Sequence, residues 1–193
     1  FKFILNNEHL KSKKLTFMSG TRINDVRTWK NTGFCFELKS DDTTALANAL
    51  QNLKDIIAVA KKYNTFINID MESNKHLQPS FDILDELSKE YDQVGTVIQA
   101  YFFRAAEDIQ KYKNFRLRIV KGAYKEPADV AYQTKEEIDQ NYIELIEWHL
   151  LNGKFTSIAT HDHNVINHIK QFIIDHNISH DKFEFQMLYG FRT

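Results

Sequence analysis

Six short apolar runs, nearly every one with polar residues at its C-terminal end and each separated from the next by a stretch of helical period, constrain this chain most. The runs are residues 33–38, 65–70, 95–100, 115–120, 155–160 and 183–188. Both faces of each read as apolar or β-branched, the pattern of a strand covered on two sides. Between the runs, Leu46, Leu50, Leu53, Ile57 and Ala60 recur at i+3/i+4 spacing over residues 43–62, after a cap at Asp41 or Asp42. Phe81, Leu84, Leu87 and Tyr91 form a shorter stripe, with Pro79 expected in its first turn. Ile138, Tyr142, Leu145, Ile146 and Trp148 mark a helix over 135–151 that stops at Asn152-Gly153. Val165, Ile166, Ile169, Phe172 and Ile173 mark another over 164–176, and a weaker one covers 105–113. Strand–helix alternation of this kind predicts a parallel sheet with helices outside. A doubly wound sheet fits the same alternation; the polar strand ends favour a barrel, which builds its site at that face. The expected fold class is therefore α/β, a barrel of about six βα units where a closed one has eight.

Residues 1–33 resist this reading. Residues 1–5, the basic stretch Lys11–Lys14 and residues 22–30 show no clean period, so 1–33 is expected to be an irregular segment or joined fragments, and 34–193 the barrel domain. The 193 residues are enough for one domain with a real core, and 42% apolar with 26% charged is ordinary for a globular chain. A net charge of −1 with dispersed Lys and Arg gives no electrostatic case for nucleic acid. No apolar run reaches the roughly 18–20 residues of a membrane helix. The single cysteine, Cys35, lies inside an apolar run, reads as core, and points to a reducing compartment. Neither end shows a natural boundary: the chain opens without Met and stops at Gly190-Phe191-Arg192-Thr193.

The polar residues at the strand ends carry the chemistry. The second run ends in Asp70-Met71-Glu72 and the third in Gln99-Ala100-Tyr101. The fourth gives Arg118-Ile119-Val120-Lys121-Gly122-Ala123-Tyr124, the fifth Ala159-Thr160-His161-Asp162, and the sixth Gln186-Met187-Leu188-Tyr189-Gly190. Converging ends of this composition suit an anionic cofactor and a zwitterionic substrate: Arg and Lys meet phosphate or carboxylate, and Gly122 admits close backbone approach. Each piece also has a plain structural reading. Asp70 and Glu72 alternate along a strand, so one of them can face away. Arg118 and Lys121 read equally as solvated loop charges. His161-x-His163 has metal-ligand spacing, yet Asp162 and Asn164 beside it would equally begin a helix. The Gly122-Ala123-Tyr124 turn is no dinucleotide fingerprint, since G-x-G-x-x-G is absent.

The order of these motifs from Asn64 to Arg192 resembles the proline dehydrogenase family, most of all its monofunctional bacterial members. The resemblance implies a distorted TIM-like (β/α)8 barrel, incomplete here, with FAD across its C-terminal mouth. It implies oxidation of L-proline to pyrroline-5-carboxylate and transfer of the electrons to a quinone. The implied setting is cytoplasmic, with peripheral contact at the inner face of the membrane. Carried over by position, Asp70 and Arg118 are the implied catalytic residues. Met71, Gln99, Lys121, Gly122, Ala123, Thr160 and His161 are the implied FAD contacts. Tyr124 and Leu188 would pack on the proline ring, and no metal is implied.

Two departures from the family pattern stand out. The family binds the substrate carboxylate through a lysine at the end of its first barrel strand; Lys39 is the counterpart, in a segment that matches poorly and lies close to Asp70. Family members also continue beyond Arg192 into two more strands and a helix with paired arginines that clamp that carboxylate. Two other readings compete: an inactive barrel fragment without flavin, and a metal-dependent barrel hydrolase built on His161 and His163.

Overall fold

The computed structural model describes residues 2–5, 34–35 and 43–187, in two compact units that divide between Gly95 and Thr96. Lys39 and Leu188, and the expected cap at Asp41 or Asp42, lie outside the described residues.

In the first unit, β1 (Lys2–Leu5) pairs antiparallel with both β2 (Phe34–Cys35) and β3 (Ile67–Ile69). Phe3 stands opposite Phe34 on one side and Ile69 on the other. Residues 2–5 therefore form a strand where no period was legible, and it lies between the strands of the first two runs, antiparallel to both. Four residues are too few to display alternation, and the partners lie far along the chain. Helix α1 (Thr43–Tyr63) buries Leu53, Ile57 and Ala60 as its stripe predicts. It ends on Asn64 in the left-handed conformation, φ 49°, which asparagine tolerates well. The Tyr91 hydroxyl donates to the Thr65 carbonyl at 2.7 Å, and the Ile67 amide to the Gln93 carbonyl at 2.9 Å, anchoring the entry to β3.

Helix α2 (Asn74–Ser88) corrects the placement of Pro79, which lies inside the helix and not in its first turn. The proline removes one backbone hydrogen bond, a cost of up to about 3 kcal/mol in an isolated helix. Burial of Leu77, Phe81, Ile83, Leu84 and Leu87 outweighs it. The Ser80 hydroxyl also donates to the His76 carbonyl at 2.7 Å, beside the interruption.

The second unit begins within β4 (Val94–Gln99) and continues through α3 (Ala105–Lys111), β5 (Arg116–Val120), α4 (Lys135–Asn152), β6 (Phe155–Ala159), α5 (His163–Asp175) and β7 (Phe183–Gln186). Its strands lie side by side in chain order, with β5–β6 and β6–β7 parallel. Thr134 and Glu137 form a reciprocal capping box at the start of α4. The Asp162 carboxylate accepts the amides of Asn164 and Val165 at the start of α5. Of the two readings of Asp162 and Asn164, helix initiation is the one the fold adopts.

The expectation of strands apolar on both faces fails for β5 and β7. Arg116 and Arg118 alternate with the fully buried Leu117 and Ile119, and Glu184 and Gln186 alternate with Phe183 and Phe185. Under the apolar face, Tyr142, Leu145, Ile146 and Leu150 of α4 and Val165, Ile166, Ile169 and Ile173 of α5 form the core.

His149 sits completely buried at the end of α4, its Nδ1 2.8 Å from Thr156 Oγ1. A Cβ built on Gly153 would stand well inside 3.0 Å of the imidazole, so glycine is required there by space alone. Burial pushes the His149 pKa down from 6.5 to about 4. The folded state thus resists protonation that the unfolded chain accepts. The corresponding stability is present above pH 6.5 and is lost as the pH falls from there towards about 4, a difference of roughly 3 kcal/mol. Urea titrations between pH 7.5 and 4.5 are expected to show a fall in unfolding free energy that His149→Gln largely flattens. An unchanged slope in the variant would assign the acid sensitivity elsewhere.

Candidate active site

The carboxyl ends of β4, β5 and β6 build the site of the second unit. Amides of Ala100 and Tyr101 donate to the carbonyls of Val120 and Lys121 at 2.8 and 2.9 Å, binding the end of β4 to the end of β5. Gly122 comes next with φ +114°, a region that side chains disfavour, and a Cβ there would collide with the Tyr101 ring. Backbone and space both demand glycine. Gln99 is buried at the end of β4, while Ala123 and Tyr124 are exposed beyond the turn.

Lys121 is no solvated loop charge. Its Nζ lies 2.5 Å from Asp139 Oδ1 and 3.1 Å from Asp162 Oδ2, and 5.8 Å above the Tyr142 ring centre. The Lys121 hydrogen bond is the largest of the effects that hold the Asp162 carboxyl below its usual range. Burial pushes the Asp139 carboxyl up, but hydrogen bonds from Lys121 and Lys135 outweigh it and leave it lowered. Thr160 is buried; its hydroxyl accepts the Asp162 amide at 3.0 Å, and its own amide donates to the Gln186 carbonyl at 3.2 Å. His161, half-buried, lies between Thr160 and the cap residue.

Arg118 stands on the polar face of β5, where its Nε–H donates to Gln186 Oε1 at 2.8 Å. The second unit thus brings the strand ends bearing Gln99, Arg118, Lys121, Gly122 and Thr160 with His161 to one edge. Asp70 and Met71 come after β3 in the first unit, Asp70 half-buried and Met71 buried.

The sequence singles out neither Asp139 nor Asn141, marks Gln186 only as one of the polar strand-end residues, and places Tyr142 in an apolar stripe. Asn141 Nδ2 donates to the Ala100 carbonyl at 2.5 Å. The Tyr142 hydroxyl lies 3.0 Å from the Ala159 carbonyl and 3.3 Å from that of Ile119, within donating reach of two adjacent strands. Asp139 had a local signal in its i,i+4 relation to Lys135, and Gln186 in its alternation with Glu184.

The donor set fits a flat anionic cofactor such as a flavin nucleotide: two cations, a buried amide, a hydroxyl and an imidazole around a turn that admits close approach. The Tyr101 hydroxyl is buried with no hydrogen-bond partner among the described residues. Burial holds its pKa above that of an ordinary phenol. Among the described residues no group of three or more His, Cys, Asp and Glu side chains could hold a metal ion.

The family profile described as proline dehydrogenase matches residues 5–192. The chain belongs to the proline dehydrogenase family. Proline dehydrogenase 1 of Bacillus subtilis subsp. natto is 46% identical over 146 residues, covering 75% of this chain and 48% of the relative. Proline dehydrogenase of Deinococcus radiodurans is 44% identical over 147 residues, covering 74% and 47%. The chain spans about half the length of the curated relatives it matches. Among solved structures, proline utilization A of Bdellovibrio bacteriovorus, inactivated by N-propargylglycine, superposes with a TM-score of 0.69 at 26% identity, covering 76% of this chain and 18% of that one. The strand–helix units are accordingly those of the proline dehydrogenase TIM-like α/β barrel. Among the described residues no helix is long and apolar enough to cross a membrane.

Gly122→Ala is expected to destabilise the protein by roughly 1–3 kcal/mol through its strained φ, with the Tyr101 clash adding to it. Ala123→Gly, at an exposed position, should cost well under half as much. Thermal melting of the two variants side by side checks this, and equal shifts would show that the turn relaxes freely.

Proposed function

We propose that this chain carries the barrel of an FAD-dependent enzyme that oxidises L-proline to pyrroline-5-carboxylate, the first step of proline catabolism, and passes the electrons to a quinone. The observation that carries this reading is the carboxyl end of β5. Within five residues it presents a guanidinium, an ammonium and an obligatory glycine turn, in a chain of the proline dehydrogenase family. Peripheral contact with the inner face of the membrane, from a cytoplasmic setting, goes with a quinone acceptor.

In this reading Met71, Gln99, Lys121, Gly122, Ala123, Thr160 and His161 hold FAD, and Asp70 and Arg118 are the catalytic residues. Lys39, Tyr124 and Leu188 contact the substrate. Bound FAD would supply the acceptor for a hydride leaving the ring carbon beside the proline nitrogen. The protein's part is orientation and charge. Arg118 offers a delocalised cation where negative charge develops, and a preorganised donor of this kind needs no rearrangement during reaction. The Lys121 ammonium is held between two carboxylates, which fixes its position at the turn. Asp70 offers a carboxylate suited to the substrate's ammonium group, and Lys39 a charge for its carboxylate.

In the complete protein, Arg118→Ala is expected to lower proline:dye oxidoreductase turnover by a factor on the order of 10²–10³. Arg118→Lys keeps the charge without the planar fork and should retain partial activity. Lys170→Ala, exposed on α5, should leave turnover unchanged. Flavin absorbance is read on every variant, since loss of cofactor mimics a catalytic defect. Arg118→Ala with full flavin and turnover within a few-fold of the parent would remove Arg118 from catalysis. A parent protein that takes up no flavin would favour the inactive-fragment reading.

A further inference from the structure

The polar face of β5–β6–β7 holds a network whose logic differs from that of a simple ion pair. Glu184 Oε1 receives the Arg116 guanidinium at 2.5 Å, the Ser157 hydroxyl at 2.9 Å and the Gln186 amide nitrogen at 2.6 Å. Burial pushes the Glu184 carboxyl up, and the hydrogen bond and charge of Arg116 outweigh it, leaving it lowered and ionised. Arg116 is further set by its stacking on Phe155, 4.0 Å from guanidinium carbon to ring centre. Next along β7, the other end of the Gln186 amide accepts Arg118 Nε–H.

Only one orientation of that amide satisfies both neighbours. A carboxylate only accepts and a guanidinium only donates, so the nitrogen faces Glu184 and the oxygen faces Arg118. Glu184, itself locked by Arg116 and Ser157, therefore orients Gln186, and Gln186 orients Arg118. Because Gln186 takes the Nε–H, rotation of the guanidinium plane is fixed while the two Nη groups are left out of this bond.

We propose that Gln186 is a positioning residue that fixes the plane of the Arg118 guanidinium for its role in the oxidation; this rests on Arg118 being catalytic, as proposed for this site. Glutamate is the informative substitution. Ionised, it still accepts from Arg118 but cannot donate to Glu184, and it sets two carboxylates face to face between Arg116 and Arg118. Protonated, it reproduces the amide, its carbonyl accepting from Arg118 and its hydroxyl donating to Glu184. Among the described residues, Gln186 bonds Arg118 from β5 and Glu184 from β7, and Glu184 in turn bonds Arg116 from β5 and neutral Ser157 from β6.

The test uses the complete flavin-loaded protein with Gln186→Met and Gln186→Glu. Gln186→Met is expected to keep its flavin and melting temperature while kcat for proline falls roughly ten- to a hundredfold, with a smaller change in KM. Gln186→Glu should lose activity at pH 8 and recover towards the parent as the pH falls to 6. Kinetics within twofold of the parent at every pH in both variants would overturn the proposal. Independently of turnover, the Arg118 Nε–H proton, identified in NMR spectra by its disappearance in Arg118→Lys, should exchange faster with water in Gln186→Met. An unchanged exchange rate overturns the positioning role. If the parent oxidises no proline, the functional reading fails while this rate still decides the role of Gln186. Should Gln186→Met not fold, Gln186→Glu compared at pH 8 and pH 6 gives the same reading.

Discussion

The pleat of β5, held in parallel register with β6 and through it with β7, is the constraint on which the second unit depends. The register sets Arg118 opposite Ser157 and Ser157 opposite Glu184, so one row of side chains is polar across three strands. The intervening Leu117, Ile119 and Ile158 are completely buried against the helices. A slip of one residue would drive both arginines into that core and bring its aliphatic groups out. Burying an unpaired guanidinium costs several kcal/mol, so core and site enforce the same alignment.

Helix α4 extends this alignment to the strand ends. Asp139, Asn141 and Tyr142, within one turn, engage Lys121, the Ala100 carbonyl and the carbonyls of Ile119 and Ala159. The helix that covers the core thus also fixes the strand ends from which the three loops of the candidate site leave. Loops so tethered lose less conformational freedom when they bind a ligand, and that is the physical content of preorganisation here. The Lys121 bridge matters through geometry more than through net charge, because a half-buried pair recovers little beyond its desolvation cost.

Where sequence reading succeeded, the signal was local and repeated. The helices over 43–62, 135–151 and 164–176 came within a few residues of α1, α4 and α5, because an apolar stripe and its flanking caps are written in consecutive residues. It failed where the deciding partner was remote. Pro79 looked like a first-turn residue until burial of Phe81 and Leu84 kept the helix intact around it. Residues 2–5 had no legible period, yet they pair with strands that lie far along the chain. Arg116 and Arg118 were read within an apolar run, although their alternation with Leu117 and Ile119 was a period-2 signal in plain view.

By itself the sequence determined the α/β alternation, the family and the motifs that end the strands, since each is a matter of residue type in consecutive positions. Only the tertiary structure decided what those residues do to one another. Lys121 could have been solvated, and Asp139 and Asp162 from two different helix starts made it a bridge. Tyr142 belonged to an apolar stripe, and two strand carbonyls gave its hydroxyl a function. Gln186 was one polar residue among several at the strand ends until Arg118, 68 residues away along the chain, met the oxygen end of its amide. Hydrogen bonds and ion pairs act over about 3 Å, whatever the separation along the chain, so their partners emerge only once the strands have taken their register.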